Sequence, residues 1–406
     1  MLVTGALRGR HAGQSVSLLV KSKVDAETGW SRLGRQLPRF ALASAAFAVA
    51  SCLVVAPKAG ANTSATALLA GASAPPALTV VIVTLDGVRW HEVFEGVDPV
   101  LARAHGLPAT AVVGAAELMP NLHAIIDSHG VALGAPGHGA PISASGPNFV
   151  SLPGYAELLS GRRATTCHDN QCSGSGARTL VDELAAGSSL DHPDVAVITS
   201  WAEIARVASL DAPGAVISSG RHGGSTRGWF SRDPDDRPWL LRAQAVEPTP
   251  GNGDFRPDAL TADLALHHLR THATRFLFLG LGEPDEFGHQ GNYAGYLDSL
   301  RRADARIAEV DAELQRLAAR GTRTALFITA DHGRADSFNE HGSEYPESAR
   351  VWLIASGSAL RQGGFLAAPR ARHLADLAPT VRAIAGLPRD WDPAAGTPLV
   401  ELLQRD

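Results

Sequence analysis

Lysine is almost missing from this chain. Its only copies, Lys21, Lys23 and Lys58, all precede residue 62. Everything downstream therefore lacks a lysine-bearing phosphate loop and a Schiff-base lysine. Cysteine is scarce as well: Cys52, Cys167 and Cys172 are the full set in 406 residues. Past the N-terminal segment, no stretch is long and apolar enough to span a bilayer, and no internal repeat is visible. The charge balance is uneven. Formal charge is −5, yet residues 1–61 hold eight Arg/Lys against two Asp/Glu, which leaves 28 basic and 39 acidic residues in the rest. An acidic body argues against binding a nucleic-acid duplex and permits a site that concentrates cations. What is present, 45% hydrophobic and 19% charged residues, suits a globular chain with ample core.

Arg32, Arg35 and Arg39 precede the apolar run Phe40–Ala56, and Ala59-Gly60-Ala61 fits a small-residue cleavage site. Basic, apolar and small regions in that order describe an export signal. Residues 1–61 are therefore read as an extension plus signal, with a periplasmic or extracellular destination. Val49-Ala50-Ser51-Cys52 resembles a lipoprotein box, so a lipid or membrane anchor is the second reading. Residues 62–77, rich in Ala, Ser, Thr and Pro, form a linker. After export, Cys167 and Cys172 can close a short disulfide loop; the plainer alternative is two free thiols. They do not make a zinc site, because neither flank adds ligands at the usual spacing.

The body, 78–406, alternates strands and helices. Ala77–Leu85, Arg275–Leu281 and Arg323–Thr329 are continuous β-branched or apolar runs, the pattern of strands buried on both faces. Val195–Thr199, Ala215–Ser218 and Arg350–Ala355 read as further strands. Helices are expected over Leu118–His129, Thr179–Ala186, Trp201–Ala208, Pro257–Ala273, Asn292–Ala319 and His373–Ala385. This is a doubly wound α/β fold with a mostly parallel sheet. Residues 219–254, dense in Gly, Pro, Asp and Arg, read as an irregular cap insertion or a plain variable loop.

Asn148–Arg163 is the densest single stretch. Ser151 ends an apolar run, Pro153 suits a first helical turn, and Gly161 suits a helix stop. A serine there is either an N-cap or a nucleophile facing an anion held by the helix N-terminus. Elsewhere, oxygen and nitrogen ligands follow strand ends: Asp86; Asp285 and His289; Asp331 and His332; then His341. Carboxylate oxygen and imidazole nitrogen suit zinc or a similar divalent ion. Each residue alone has a dull reading as a turn or a solvated side chain. Their joint placement at the carboxyl edge of a parallel sheet, where sites form, sets them apart.

Thr84-Leu-Asp-Gly-Val88, Ser151-Leu-Pro-Gly-Tyr155 with Ser160-Gly-Arg162, Pro284-Asp-x-x-Gly-His289, Thr329-Ala-Asp-His-Gly333 and Glu340-His-Gly342 occur in the order seen in the alkaline phosphatase superfamily. The chain resembles its nucleotide pyrophosphatase/phosphodiesterase-like branch most closely. The resemblance implies an alkaline phosphatase-like α/β/α sandwich and two divalent metal ions, zinc first and manganese second. Asp86, Ser151, Asp331 and His332 would surround one ion; Asp285, His289 and His341 would hold the other. Ser151 would be a covalent nucleophile in the hydrolysis of a small phosphate mono- or diester. Asn148, Arg162 or Arg163, and Asn170 are candidate donors to the phosphate oxygens. Sulfatases of this superfamily carry Arg where Tyr155 stands and paired Asp where Asp86-Gly87 stands, so sulfate esters are disfavoured. The diesterase branch carries Thr, an aromatic, Pro, Asn and His where Ser151–Tyr155 stand, which makes Tyr155 a candidate setter of substrate preference. A phosphomutase on the same scaffold, and a non-catalytic metal-stabilised surface protein, are the rival readings. A metal-free serine hydrolase is disfavoured because no Gly-x-Ser-x-Gly surrounds Ser151.

Overall fold

Residues 77–163, 166–188, 193–222 and 237–404 are described by a computed structural model. The expected export signal, Cys52, nearly all of the 62–77 linker and the centre of the expected cap at 223–236 lie outside them. The strands run β1 Leu78–Leu85, β2 Gly130–Leu133, β3 Ile142–Ser143, β4 Val195–Thr199, β5 Val216–Ser219, β6 Phe276–Leu281, β7 Arg323–Thr329, β8 Arg350–Val351, β9 Leu353–Ser356, β10 Gly364–Phe365 and β11 Arg372–His373. Eight of them make one sheet in the order β10-β2-β9-β7-β1-β6-β4-β5; β11, β3 and β8 make a smaller one. In the main sheet β9 is antiparallel to both neighbours and every other pairing is parallel. The fold is the expected α/β class with a mostly parallel sheet flanked by helices.

β1 is central because of its sequence. Leu-Thr-Val-Val-Ile-Val-Thr-Leu has side chains for both faces, and all but the first residue are buried. β6 pairs along one edge and β7 along the other. The Tyr293–Ala319 helix carries the chain from β6 past β1 to β7, capped by Asn292, whose side chain accepts from the Gly295 N–H at 2.9 Å. As a result the carboxyl ends of β7, β1, β6 and β4 lie side by side.

Two expectations change, and one further stretch acquires structure. Arg350–Ala355 is not one strand: β8 and β9 are separated at Trp352, whose indole N–H donates to the Val88 carbonyl at 3.0 Å. The Gly-, Pro- and Ser-rich stretch 129–147, to which the sequence assigns no element, also acquires structure. It contains β2 and β3, which are too short to show a periodic pattern. Within the expected irregular insertion, Arg237–Ala245 is helical.

Candidate active site

The helix that carries the candidate nucleophile spans Ser151–Ser160 and ends at Gly161 in the left-handed conformation, φ 71°. Val150 occupies the N-cap position, so Ser151 is the first helical residue rather than the cap. Its Oγ lies 3.4 Å from Asp86 Oδ1 and 3.3 Å from His332 Nε2. Asn170 does the capping: its Oδ1 accepts from the Leu152 N–H at 2.9 Å. Asn170 is held inside the Cys167–Cys172 disulfide loop, which forms as expected.

β1 delivers Asp86, and β7 delivers Asp331 and His332, all three buried. The Gly87 N–H donates to Asp331 Oδ1 at 3.1 Å. Asp331 Oδ2 is buried and has no hydrogen-bond partner. The His332 ring is pinned by Nδ1, 2.8 Å from the Gly333 carbonyl, leaving Nε2 near Asp86, Asp331 and Ser151. Gly87 has φ 63°, and a Cβ there would sit 2.3 Å from Asp285 Oδ1, so the turn after β1 needs glycine twice over.

β6 runs into the Glu283–His289 helix, which carries Asp285 and His289 one turn apart. Asp258 fixes the start of that helix by accepting from the Gly282 and Glu283 N–H groups at 2.8 and 3.0 Å. His289 Nε2 lies 3.0 Å from Asp285 Oδ2 and 3.2 Å from His341 Nε2. The other His341 nitrogen, Nδ1, is 3.0 Å from the Phe149 carbonyl, which turns Nε2 inward. Two clusters can each hold a divalent ion: Asp285, His289 and His341; and Asp86, Asp285 and His332. Asp285 belongs to both, so it bridges sets that the motif reading kept apart.

The electrostatics point to missing positive charge. Burial, then the nearby Asp86 charge, pushes Asp331 well above the usual carboxylate range. Burial opposes the charged form of His332, but Asp331, Asp86 and Asp285 overcome it and raise its pKa to about 10. Burial works against Asp285 too, yet Arg334 and the two histidines hold it well below the usual range. An unsatisfied buried carboxylate oxygen beside clustered Asp and His is the donor set a divalent cation fits.

Several participants escaped the motif reading. Arg334, directly after Asp-His-Gly, is fully buried, ion-paired to Asp285 and bonded to the Phe338 and Asn339 carbonyls. Its place in the motif was the available signal. The Tyr155 hydroxyl donates to Asp86 Oδ2 at 2.9 Å from a fully buried position. Tyr155 therefore orients a candidate ligand and does not line the cavity beside it. A cavity of about 110 Å³ opens on the site, lined by Asp86, Ser151, Asp285 and His289. Asn170, Trp201, Phe255 and Glu286 complete its lining. Trp201 follows β4 at the same sheet edge as the ligands, a signal position alone could have supplied. Burial, then Asp285, raises the Glu286 pKa to about 7.

Of the remaining candidates, Arg162 lies at the far end of the Ser151–Ser160 helix. It pairs with Asp390 at 2.7 Å and Asp392 at 2.9 Å. Arg163 is exposed beside it. Asn148 ties loops together, donating to the His168 carbonyl and accepting from the Ser343 N–H.

A family model described as the Metalloenzyme superfamily matches residues 252–389. The sheet and helices superimpose on the crystal structure of alkaline phosphatase PafA with a TM-score of 0.51, at 12% identity, over 82% of this chain and 100% of that one. Over residues 252–389 the chain matches the Metalloenzyme superfamily, and its fold is like that of this alkaline phosphatase. A multiply substituted form of PafA gives a TM-score of 0.53 at 13% identity, again over 82% of this chain and 100% of that one. At these identities the likeness is one of fold. Among curated proteins, the 2,3-bisphosphoglycerate-independent phosphoglycerate mutase of Haloarcula marismortui is 28% identical over 149 residues, 34% of this chain and 26% of that protein. Its counterpart in Cereibacter sphaeroides is 30% identical over 169 residues, 39% of this chain and 31% of that protein. The chain thus spans about a quarter to a third of the length of these curated relatives. The superfamily match contains Asp285, His289, Asp331, His332 and His341, whereas Asp86 and Ser151 precede it. The branch-level resemblance to phosphodiesterases rests on the motifs alone.

Proposed function

We propose that this chain is an exported, metal-dependent phosphoric-ester hydrolase with Ser151 as covalent nucleophile. The observation that carries this is the Ser151 hydroxyl at a helix start, 3.4 Å from Asp86 and 3.3 Å from His332. Asp86, Asp331, His332 and Ser151 would hold one ion and Asp285, His289 and His341 the other, with Asp285 within reach of both. When bound, such ions supply Lewis acidity toward phosphate oxygens and acidify a coordinated hydroxyl. Ser151 Oγ attacks phosphorus, the bond from phosphorus to the ester oxygen breaks, and the alcohol leaves with a proton. Water then attacks the phosphoserine, releasing inorganic phosphate and restoring the hydroxyl. The helix N-terminus favours the phosphate charge in both steps. Asn170 keeps that terminus in place, and Tyr155 keeps Asp86 oriented. Zinc is the first expectation and manganese the second. Export is supported by the N-terminal residue order and by the disulfide, which suits an oxidising compartment.

Transfer of the phosphoryl group to another alcohol is the second reading, favoured by the mutase relatives. Against it, no arginine lines the cavity among the described residues to receive an anionic acceptor. A side-by-side assay of aryl phosphate monoester, diester and sulfate with zinc, manganese or no metal tests the proposal. Metal-dependent release of phosphate to water supports it. Phosphate recovered only on an added acceptor alcohol supports the mutase reading.

A further inference from the structure

We infer that Trp201, Phe255 and Glu286 form a subsite for a cationic alcohol, so that the preferred phosphate ester carries a substituted ammonium group. This rests on the hydrolase reading for the position of the phosphate at Ser151.

The first argument is charge. The candidate ions would neutralise Asp86 and Asp285, and Arg334 already pairs with Asp285. Glu286 remains. It is half-buried and lines the cavity, and its carboxylate makes no ion pair or hydrogen bond among the described residues. A partly desolvated carboxylate without a partner is costly unless a ligand supplies one. An anionic alcohol would be repelled at this position.

The second argument is the aromatic walls. Two aromatic rings beside a carboxylate suit an alkylated ammonium, which is attracted to ring faces and poorly hydrated. The walls are built in rather than incidental. Trp201 and Phe255 are joined by an antiparallel bridge. The Arg256 N–H donates to the Ser200 carbonyl at 2.8 Å. The Arg256 side chain is fully buried and donates to the Thr199 and Ser218 carbonyls, both at 2.9 Å. This locks the segment carrying Phe255 onto the ends of β4 and β5.

The third argument is size. A cavity of about 110 Å³ is far below the roughly 300–1,000 Å³ of drug-sized ligand sites. It accepts a phosphoryl group and a short alcohol; a nucleoside would not be enclosed.

The test compares phosphocholine with 3,3-dimethylbutyl phosphate, its neutral isostere, binding by calorimetry to metal-loaded Ser151→Ala protein. Phosphocholine is expected to bind about tenfold more tightly. Glu286→Gln and Trp201→Leu, each in the Ser151→Ala background, are expected to bring the ratio toward one. Turnover of an aryl phosphate by the unsubstituted protein is measured in parallel. An affinity ratio near one with aryl phosphate turnover intact overturns the subsite and leaves the hydrolase standing. A preserved ratio without turnover overturns the hydrolase and keeps the subsite.

Discussion

Ser151 and Arg162 begin and follow the same helix, and the structure gives them opposite roles. Ser151→Ala removes the hydroxyl that lies within 3.4 Å of both Asp86 and His332. It is expected to lower kcat on an aryl phosphate by about 10³-fold or more while metal content, measured by plasma emission, stays near that of the unsubstituted protein. Arg162→Ala breaks the half-exposed pairs with Asp390 and Asp392. The expected cost is at most about 1 kcal/mol in urea unfolding, with kcat/KM unchanged. A change in KM would return Arg162 to the site. From the sequence, the two arginines after Gly161 looked equivalent to any other phosphate clamp. Ten residues of helix turn them away from the nucleophile, and only the acidic partners near the C-terminus explain where Arg162 goes. Glu286 and Arg334 were illegible for a different reason. They stand between or beside motif positions, and their roles depend on which strands become neighbours.

At the scale of one element, the Ser151–Ser160 helix is clamped along its length. Gly154 packs on β7's end so closely that a Cβ would lie 2.3 Å from the Asp331 carbonyl oxygen. Gly154→Ala is therefore expected to cost about 1–3 kcal/mol by overpacking and to lower kcat with it. Unfolding and turnover measured together check this, and an unaltered variant would mean the helix can retreat freely. One turn further along, the Glu157 carboxylate accepts from the Ser145 N–H and hydroxyl at 2.8 and 2.6 Å, and from the Ala375 N–H at 3.0 Å. Burial nevertheless raises its pKa from the ordinary 4.5 to about 7. The folded state thus holds this proton more tightly than the unfolded chain. The resulting stabilisation is complete below about pH 4.5 and is lost as pH rises through about 7. Glu157→Gln should flatten that part of the stability profile, read as urea midpoints from pH 4.5 to 8 against the unsubstituted protein. The helix itself was legible from Pro153 and Gly161, because local rules set both ends. Its clamps were not, since Ser145, Ala375 and Asp331 reach it only through tertiary packing.

For the whole molecule, the three long buried strands were legible because a strand covered on both faces has nowhere to place a polar residue. The antiparallel β9 and the smaller sheet were not, since pieces of two to four residues carry no period. The candidate ligands come from every part of this sheet edge, so ion binding should report on global folding. Chelation is expected to lower Tm and abolish turnover, and zinc or manganese at about 100 times its Kd should restore roughly 2.7 kcal/mol. A Tm indifferent to chelator would show that the clusters hold no ion.

β1 also has a history during synthesis. Its partners on either edge begin at Phe276 and Arg323, and the Gly87–Asp331 hydrogen bond joins residues 244 positions apart. Through most of translation this apolar, β-branched segment has neither edge satisfied. Such a segment invites pairing with other copies of itself. Passage through a membrane as an unfolded chain would postpone that hazard until β6 and β7 arrive together. Dilution from denaturant offers no such protection, so refolding yield should fall as protein concentration rises.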